Sequence, residues 1–153
     1  MAIFLVQHGK SLAKEQNPEQ GLSREGTGDV ERIAGVAKGY GIHVASIAHS
    51  GKKRARQTAE IFASFLKPAA GVHEKAGLKP MDDVTALAGS LKADDNLMIV
   101  GHLPFMERLT SFLITGDMDR PVFKFQNGGI VCLDEAPEEK AWVIKWTLMP
   151  EIC

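Results

Sequence analysis

The stretch Phe4-Leu5-Val6-Gln7-His8-Gly9-Lys10-Ser11 constrains this chain more than any other, because a short apolar run stops abruptly at a histidine and a glycine. Such a run, bounded at once by turn residues, reads as a buried strand, and in open α/β sheets the ligand crevice lies beyond the carboxyl ends of the strands. The spacing therefore delivers an imidazole, His8, to a strand end. Gly9 lets another group come close to the main chain, since no Cβ stands in the way. A second run, Asn96-Leu97-Met98-Ile99-Val100-Gly101, has the same grammar and is followed by His102. If the two strands are neighbours, both imidazoles enter one crevice.

The segments between and around these runs alternate in type. Residues 10–22 are polar and broken by Pro18, longer than a simple connection needs, as loops bordering a site often are. Ser23 is placed to cap a helix running to about Lys38, with Val30, Ile33, Ala34 and Ala37 on one face and Gly39 and Gly41 at its end. Residues 43–50 read as a second strand. A strongly periodic helix follows through Ala55, Thr58, Ala59, Phe62, Phe65 and Leu66, and Pro68 stops it. Residues 72–74 suggest a short strand, and Met81, Val84, Leu87, Ala88 and Leu91 mark a third helix. Pro104 suits the first position of a fourth, which continues through Phe105, Leu109, Phe112 and Leu113. Three short β-rich segments, 122–125, 129–134 and 142–148, suggest antiparallel strands completing an edge.

This alternation predicts an α/β fold: a three-layer α/β/α arrangement with a mainly parallel central sheet and an antiparallel edge, in one domain spanning 1–153. A chain of 153 residues buries roughly 70% of the surface its unfolded form exposes. Lys plus Arg number 18 and Asp plus Glu 19, a net charge of -1, so no broad field draws the molecule to nucleic acid or to a membrane, and any anion binding must be local. The apolar run at 2–6 is too short for a signal-peptide core and nothing approaches a membrane span, so a cytoplasmic setting is expected. Cys132 and Cys153 share no motif spacing and read as a buried thiol and a tail thiol.

Between the histidines lies Ser50-Gly51-Lys52-Lys53-Arg54-Ala55-Arg56-Gln57-Thr58, a basic cluster at the start of a helix. Cations there oppose the helix dipole, so either the cluster is a solvated face or an anion is held where helix amides and guanidinium groups converge. Leu103 lacks any side-chain acceptor, which as an N-cap would leave the first amides of the fourth helix without a local partner. A phosphate oxygen or water would satisfy them.

Four segments in order resemble the histidine phosphatase superfamily, also called phosphoglycerate mutase-like, and in particular its small phosphohistidine phosphatases of the SixA type. Leu5-Val6-Gln7-His8-Gly9 stands for the Arg-His-Gly signature and Leu22-Ser23-Arg24-Glu25-Gly26 for Leu-Ser/Thr-x-x-Gly. Ser50 through Thr58 stands for Ser-x-x-x-Arg-Ala-x-Gln-Thr, and Gly101-His102-Leu103-Pro104 for the second-histidine motif. The resemblance implies a phosphoglycerate mutase-like fold and a metal-independent phosphatase with no cofactor. In that reading His8 attacks phosphorus and forms a covalent phosphohistidine that water releases, while Arg54 and His102 stabilise charge on the moving phosphoryl group. Gln7, Gly9, Ser11 and Leu103 would contact phosphate, and the partners would be inorganic phosphate and a phosphorylated protein carrying phosphohistidine, or another phosphorylated substrate. Positive neighbours are expected to lower the pKa of His8 and keep it unprotonated.

Two departures follow from the same comparison. Gln7 stands where the signature has arginine, and a neutral amide brings neither charge nor a bidentate fork. Losing one charged hydrogen bond costs on the order of 1.5 to 3 kcal/mol, roughly ten to over one hundredfold in rate if felt fully in the transition state. Lys10, Lys52 and Lys53 are the candidates to replace it. The alternative reading is a catalytically impaired phosphate- or phosphoprotein-binding regulatory module. The family's acidic proton donor also has no obvious counterpart, since Gly77 begins the corresponding segment; Glu74, Asp82 and Asp83 are nearby, each more simply read as a cap or a solvated acid. A phosphohistidine substrate needs less acid help because its protonated imidazole is already a fair leaving group.

Overall fold

Side-chain alternation along the first strand, β1 (Ile3–Gln7), sorts the core into two halves. Phe4 and Val6 pack with Val30, Ile33, Ala59 and Phe62. Ile3 and Leu5 pack with Val84, Leu87, Phe105 and Leu109. A strand buried on both faces must be apolar throughout, which is why this run shows no polar alternation.

The computed structural model describes residues 1–152, so the expected tail thiol at Cys153 lies outside the described residues. After β1 come α1 (Arg24–Gly39), β2 (Ser46–His49), α2 (Lys53–Leu66), β3 (Val72–Glu74), α3 (Val84–Ala88), β4 (Leu97–Gly101), α4 (Phe105–Thr115), β5 (Ile130–Ala136) and β6 (Ala141–Leu148). The strands form one sheet in the order β3-β2-β4-β1-β5-β6. The first four run parallel and the last two are antiparallel. Helices α1 and α2 cover one face, α3 and α4 the other. This is the expected three-layer fold with a mainly parallel sheet and an antiparallel edge.

The order places β4 between β1 and β2, so the chain's later strand inserts beside its first. In register, Gln7 pairs with Gly101 and His49 with Val100. The ends of three adjacent parallel strands therefore carry His8, His102 and Ser50 side by side, at the kind of switch point where α/β sheets open a crevice.

Several local expectations are corrected. Residues 122–125 are not a strand: they join none of the sheet's strands, and the amide of Phe125 is taken by Glu107 Oε2 at 3.0 Å. The third helix is shorter than its periodicity suggested: Asp83 caps it through the Thr85 amide at 2.9 Å, and Met81 lies outside it, exposed. The second strand begins at Ser46, with the amide of Ala45 turned to the carbonyl of Asn96. Pro104 is the N-cap of α4 rather than its first residue, and the Met106 amide bonds back to the His102 carbonyl at 2.9 Å. One of the amides expected to lack a partner thus has one. Ser23 does cap α1, accepting from the Gly26 amide at 2.9 Å. Cys132 is buried and free. Among the described residues no helix is long and apolar enough to cross a membrane.

Candidate active site

His8 leaves β1 with its backbone fixed on both sides. Its amide donates to the Gly101 carbonyl at 3.0 Å, its carbonyl accepts from Asn127 Nδ2 at 2.9 Å, and the Gly128 amide donates to the Gln7 carbonyl at 2.8 Å. The ring is fixed as well. Nδ1 lies 2.7 Å from the Gly9 carbonyl, which can only accept, so Nδ1 carries the proton and Nε2 is left with a free lone pair.

Gly9 holds this arrangement from behind. Its amide donates to Thr58 Oγ1 at 3.0 Å, and the same hydroxyl donates to the Arg54 carbonyl at 2.8 Å. Thr58 therefore couples the His8 turn to the first turn of α2. A Cβ on Gly9 would lie 2.8 Å from Val30 Cγ2, so the close approach needs glycine there. Gln57 makes a parallel tie, its Oε1 accepting from the Leu22 amide at 2.7 Å. The Leu22–Gly26 motif works similarly: Ser23 bonds the Lys10 carbonyl through both amide and hydroxyl, and a Cβ on Gly26 would run into that carbonyl.

The two imidazoles face each other with ring centroids 5.0 Å apart and planes inclined by 53°. His102 is only 2% exposed; its Nε2 lies 2.6 Å from Ser50 Oγ, and its Nδ1 is buried with no partner. Burial is the first cause that lowers both pKa values, His8 to about 4 and His102 to about 3, with Arg54 adding to the shift in each. Positive neighbours were expected to keep His8 neutral; desolvation does more of that work. Both rings are unprotonated near neutral pH.

Arg54 is half-buried and, among the described residues, has no carboxylate partner and no side-chain hydrogen bond. A partly desolvated guanidinium beside two neutral imidazoles makes a local site for an anion within a nearly neutral molecule. The neighbouring basic residues divide. Lys53 pairs with Glu19 at 3.0 Å and Arg56 with Glu60 at 3.7 Å, as members of a solvated face. Lys52 has no such pair among the described residues, and its charge reaches His102.

Of the three lysines expected to make up for Gln7, Lys10 is turned to Glu25 and Glu151 at 2.8 and 3.3 Å and Lys53 is taken up by Glu19, which leaves Lys52. Gln7 itself is 9% exposed with Oε1 buried and unpartnered. Ser11 pairs with Leu22 as an isolated bridge, and its hydroxyl makes no hydrogen bond to either histidine. Leu103 is half-buried directly after His102. Neither Asp82 nor Asp83 points to the pair: Asp82 accepts from the Lys79 amide and Asp83 caps α3. Glu74 packs on Gly51. Among the described residues no cluster of three or more His, Cys, Asp or Glu side chains is placed to hold a metal ion.

Ser50, Gln57 and Thr58 all stand in the basic motif, yet their ties to His102, Leu22 and Gly9 are visible only in the fold. Their polar side chains at fixed spacing from Arg54 were the available signal.

The fold is similar to that of the protein histidine phosphatase SixA complexed with tungstate, at 23% identity and a TM-score of 0.82, over 98% of this chain and 97% of that one. It is also similar to an Agrobacterium tumefaciens protein assigned as the phosphohistidine phosphatase SixA, at 21% identity and TM-score 0.75, covering 97% of each chain. Phosphoserine phosphatase from Entamoeba histolytica, in complex with 3-phosphoglyceric acid, follows at 15% identity and TM-score 0.67, covering 96% of each chain. No curated protein matches by sequence. The model of the histidine phosphatase superfamily (branch 1) matches residues 3–86, more than half of the sequence and the part that carries His8 and Arg54. This chain belongs to the histidine phosphatase superfamily.

Proposed function

We propose that the protein hydrolyses phosphohistidine in a protein substrate through a covalent phosphohistidine at His8. The observation that carries this reading is the tautomer of His8: with Nδ1–H tied to the Gly9 carbonyl, the bare Nε2 lone pair is the nucleophile. Nε2 attacks phosphorus as the bond from phosphorus to the substrate's imidazole breaks, and that imidazole departs with the proton it already carries. Water then attacks the phosphoryl group on Nε2, giving inorganic phosphate and free His8. Arg54 and Lys52 supply positive charge to the phosphoryl oxygens, and His102 supplies a hydrogen bond. In this reading no residue must protonate the leaving group, which agrees with Asp82 and Asp83 being engaged in local caps.

SixA, a phosphatase of protein histidine by its name, has the same fold over nearly its whole length, and a structure with tungstate supports an oxyanion as ligand. The second reading, a binding module with little turnover, is favoured by Gln7 alone.

A hydrolysis panel separates them. Phosphohistidyl protein is expected to be turned over faster than aryl phosphate and far faster than sugar phosphates, with His8→Ala inactive on all three. Binding of inorganic phosphate with all three substrates intact after long incubation would favour the module instead.

A further inference from the structure

Ser50 lies one residue beyond β2, on the strand next to β4, and its Oγ is 2.6 Å from Nε2 of His102. Either atom can be the donor in principle, so the protons and the length of the contact must be weighed together. A neutral imidazole carries one N–H, and a hydroxyl one O–H with two acceptor lone pairs. The Lys52 amide already donates weakly to Ser50 Oγ, at 3.4 Å, which occupies one of those lone pairs.

Suppose Ser50 accepted from Nε2–H. Its own proton would then turn to solvent, since Ser50 is only half-buried, and Nδ1 of His102 would be a buried acceptor without a donor. One buried group would go unmatched. If instead Ser50 donates to Nε2, its proton and one lone pair are both used, and a single unmatched group remains, Nδ1–H. That leftover is a donor, which an anion held by Arg54 and Lys52 would match. Each arrangement leaves one buried group over, and the distance separates them: 2.6 Å is short for an N–H···O bond and ordinary for an O–H donor, so the hydroxyl is the donor.

We propose that Ser50 is a positioning residue for the second histidine: its hydroxyl donates to Nε2 of His102, fixing the ring's orientation and holding it as the tautomer with its proton on Nδ1. The hydroxyl also joins the turn that opens α2 to the end of β4, so the elements carrying Arg54 and His102 keep a constant separation. This claim stands on the geometry of the pair; only its effect on turnover rests on the phosphatase reading above.

Nitrogen-15 spectra of the imidazole at neutral pH test it on the unmodified protein. The expected result is a pyrrole-like Nδ1 and a pyridine-like Nε2 for His102. Ser50→Ala should move the ring toward the Nε2–H form, and Ser50→Thr, which keeps the hydroxyl, should leave it as in the wild type. With phosphohistidyl protein as substrate, kcat should fall about tenfold in Ser50→Ala, the size of one neutral hydrogen bond, and recover in Ser50→Thr. A proton on Nε2 in the wild type overturns the proposal, as does an unchanged tautomer in Ser50→Ala. Should Ser50→Ala fail to fold, the wild-type spectrum still decides; should the wild type turn over no phosphorylated substrate, the proposed function falls and the spectrum still decides this point.

Discussion

At the end of β1, His8 is held by its own neighbour, with Nδ1 against the Gly9 carbonyl and Nε2 left bare. At the end of β4, His102 is held by a residue 52 positions away, with Nε2 against Ser50 and Nδ1 left unmatched. The first ring is partly open to solvent and the second is almost wholly enclosed. Two strand ends with nearly the same sequence grammar thus present opposite ring atoms. A carbonyl tether can only accept and so fixes which nitrogen keeps its lone pair, whereas a hydroxyl tether works either way; on the proposed reading, with Ser50 donating, the first ring attacks and the second donates.

The sharpest way to break this contrast is to remove the cation that both rings share. Arg54→Ala is expected to lower turnover of phosphohistidyl protein by about 10²- to 10³-fold, the loss typical of one preorganised donor to a developing anion. Steady-state kinetics check it, and a change under about threefold would mean that Arg54 does not touch the reacting group.

Gln7→Arg sharpens the comparison from the β1 side. It restores the charge that Gln7 withholds next to His8, so turnover should rise about tenfold. No rise in a folded variant would indicate that Lys52 already provides the missing charge.

Changing pH gives the mildest effect. With His8 at about 4 and His102 at about 3, both below the ordinary value near 6.5, kcat/KM corrected for substrate ionisation should stay level from about pH 7 to 5 and fall only near 4. An acid limb at about 6.5 would mean that neither ring is desolvated. Stability follows from the same depression. The unfolded chain takes up these protons near 6.5 and the folded one only near 4 and 3, so the contribution is full above about 6.5 and is lost as the pH falls through about 4 for His8 and about 3 for His102, which denaturant titrations at a series of pH values would record.

Much of this was legible in the sequence, and the reasons are physical. The strands β1 and β4 announce themselves because a parallel strand buried on both faces must be apolar throughout, and α2 does so because its buried Ala55, Thr58, Ala59 and Phe62 keep helical spacing. His8 and His102 follow as the polar residues at the ends of those strands, whereas only the family resemblance separates Arg54 from its basic neighbours. What could not be read is which atoms are already spoken for. Lys10 looks like an inward-reaching cation until Glu151, 141 positions away, is brought beside it, and no local pattern encodes that meeting. Residues 122–125 read as a short β-rich segment, but the Phe125 amide is taken by the Glu107 carboxylate 18 positions away, a meeting no local pattern encodes. Thr58 reads as one more helical core residue, yet its hydroxyl bridges Gly9 and Arg54 across 49 positions of chain.

The most direct test is to quench a reaction with labelled phosphohistidyl protein and map the phosphoryl group in the enzyme. The label should sit on His8 and be absent in His8→Ala. It should persist longer in His102→Ala, where a donor is missing but the nucleophile is intact. Label on His102, or turnover by His8→Ala at the wild-type rate, would contradict the division of labour between the two rings.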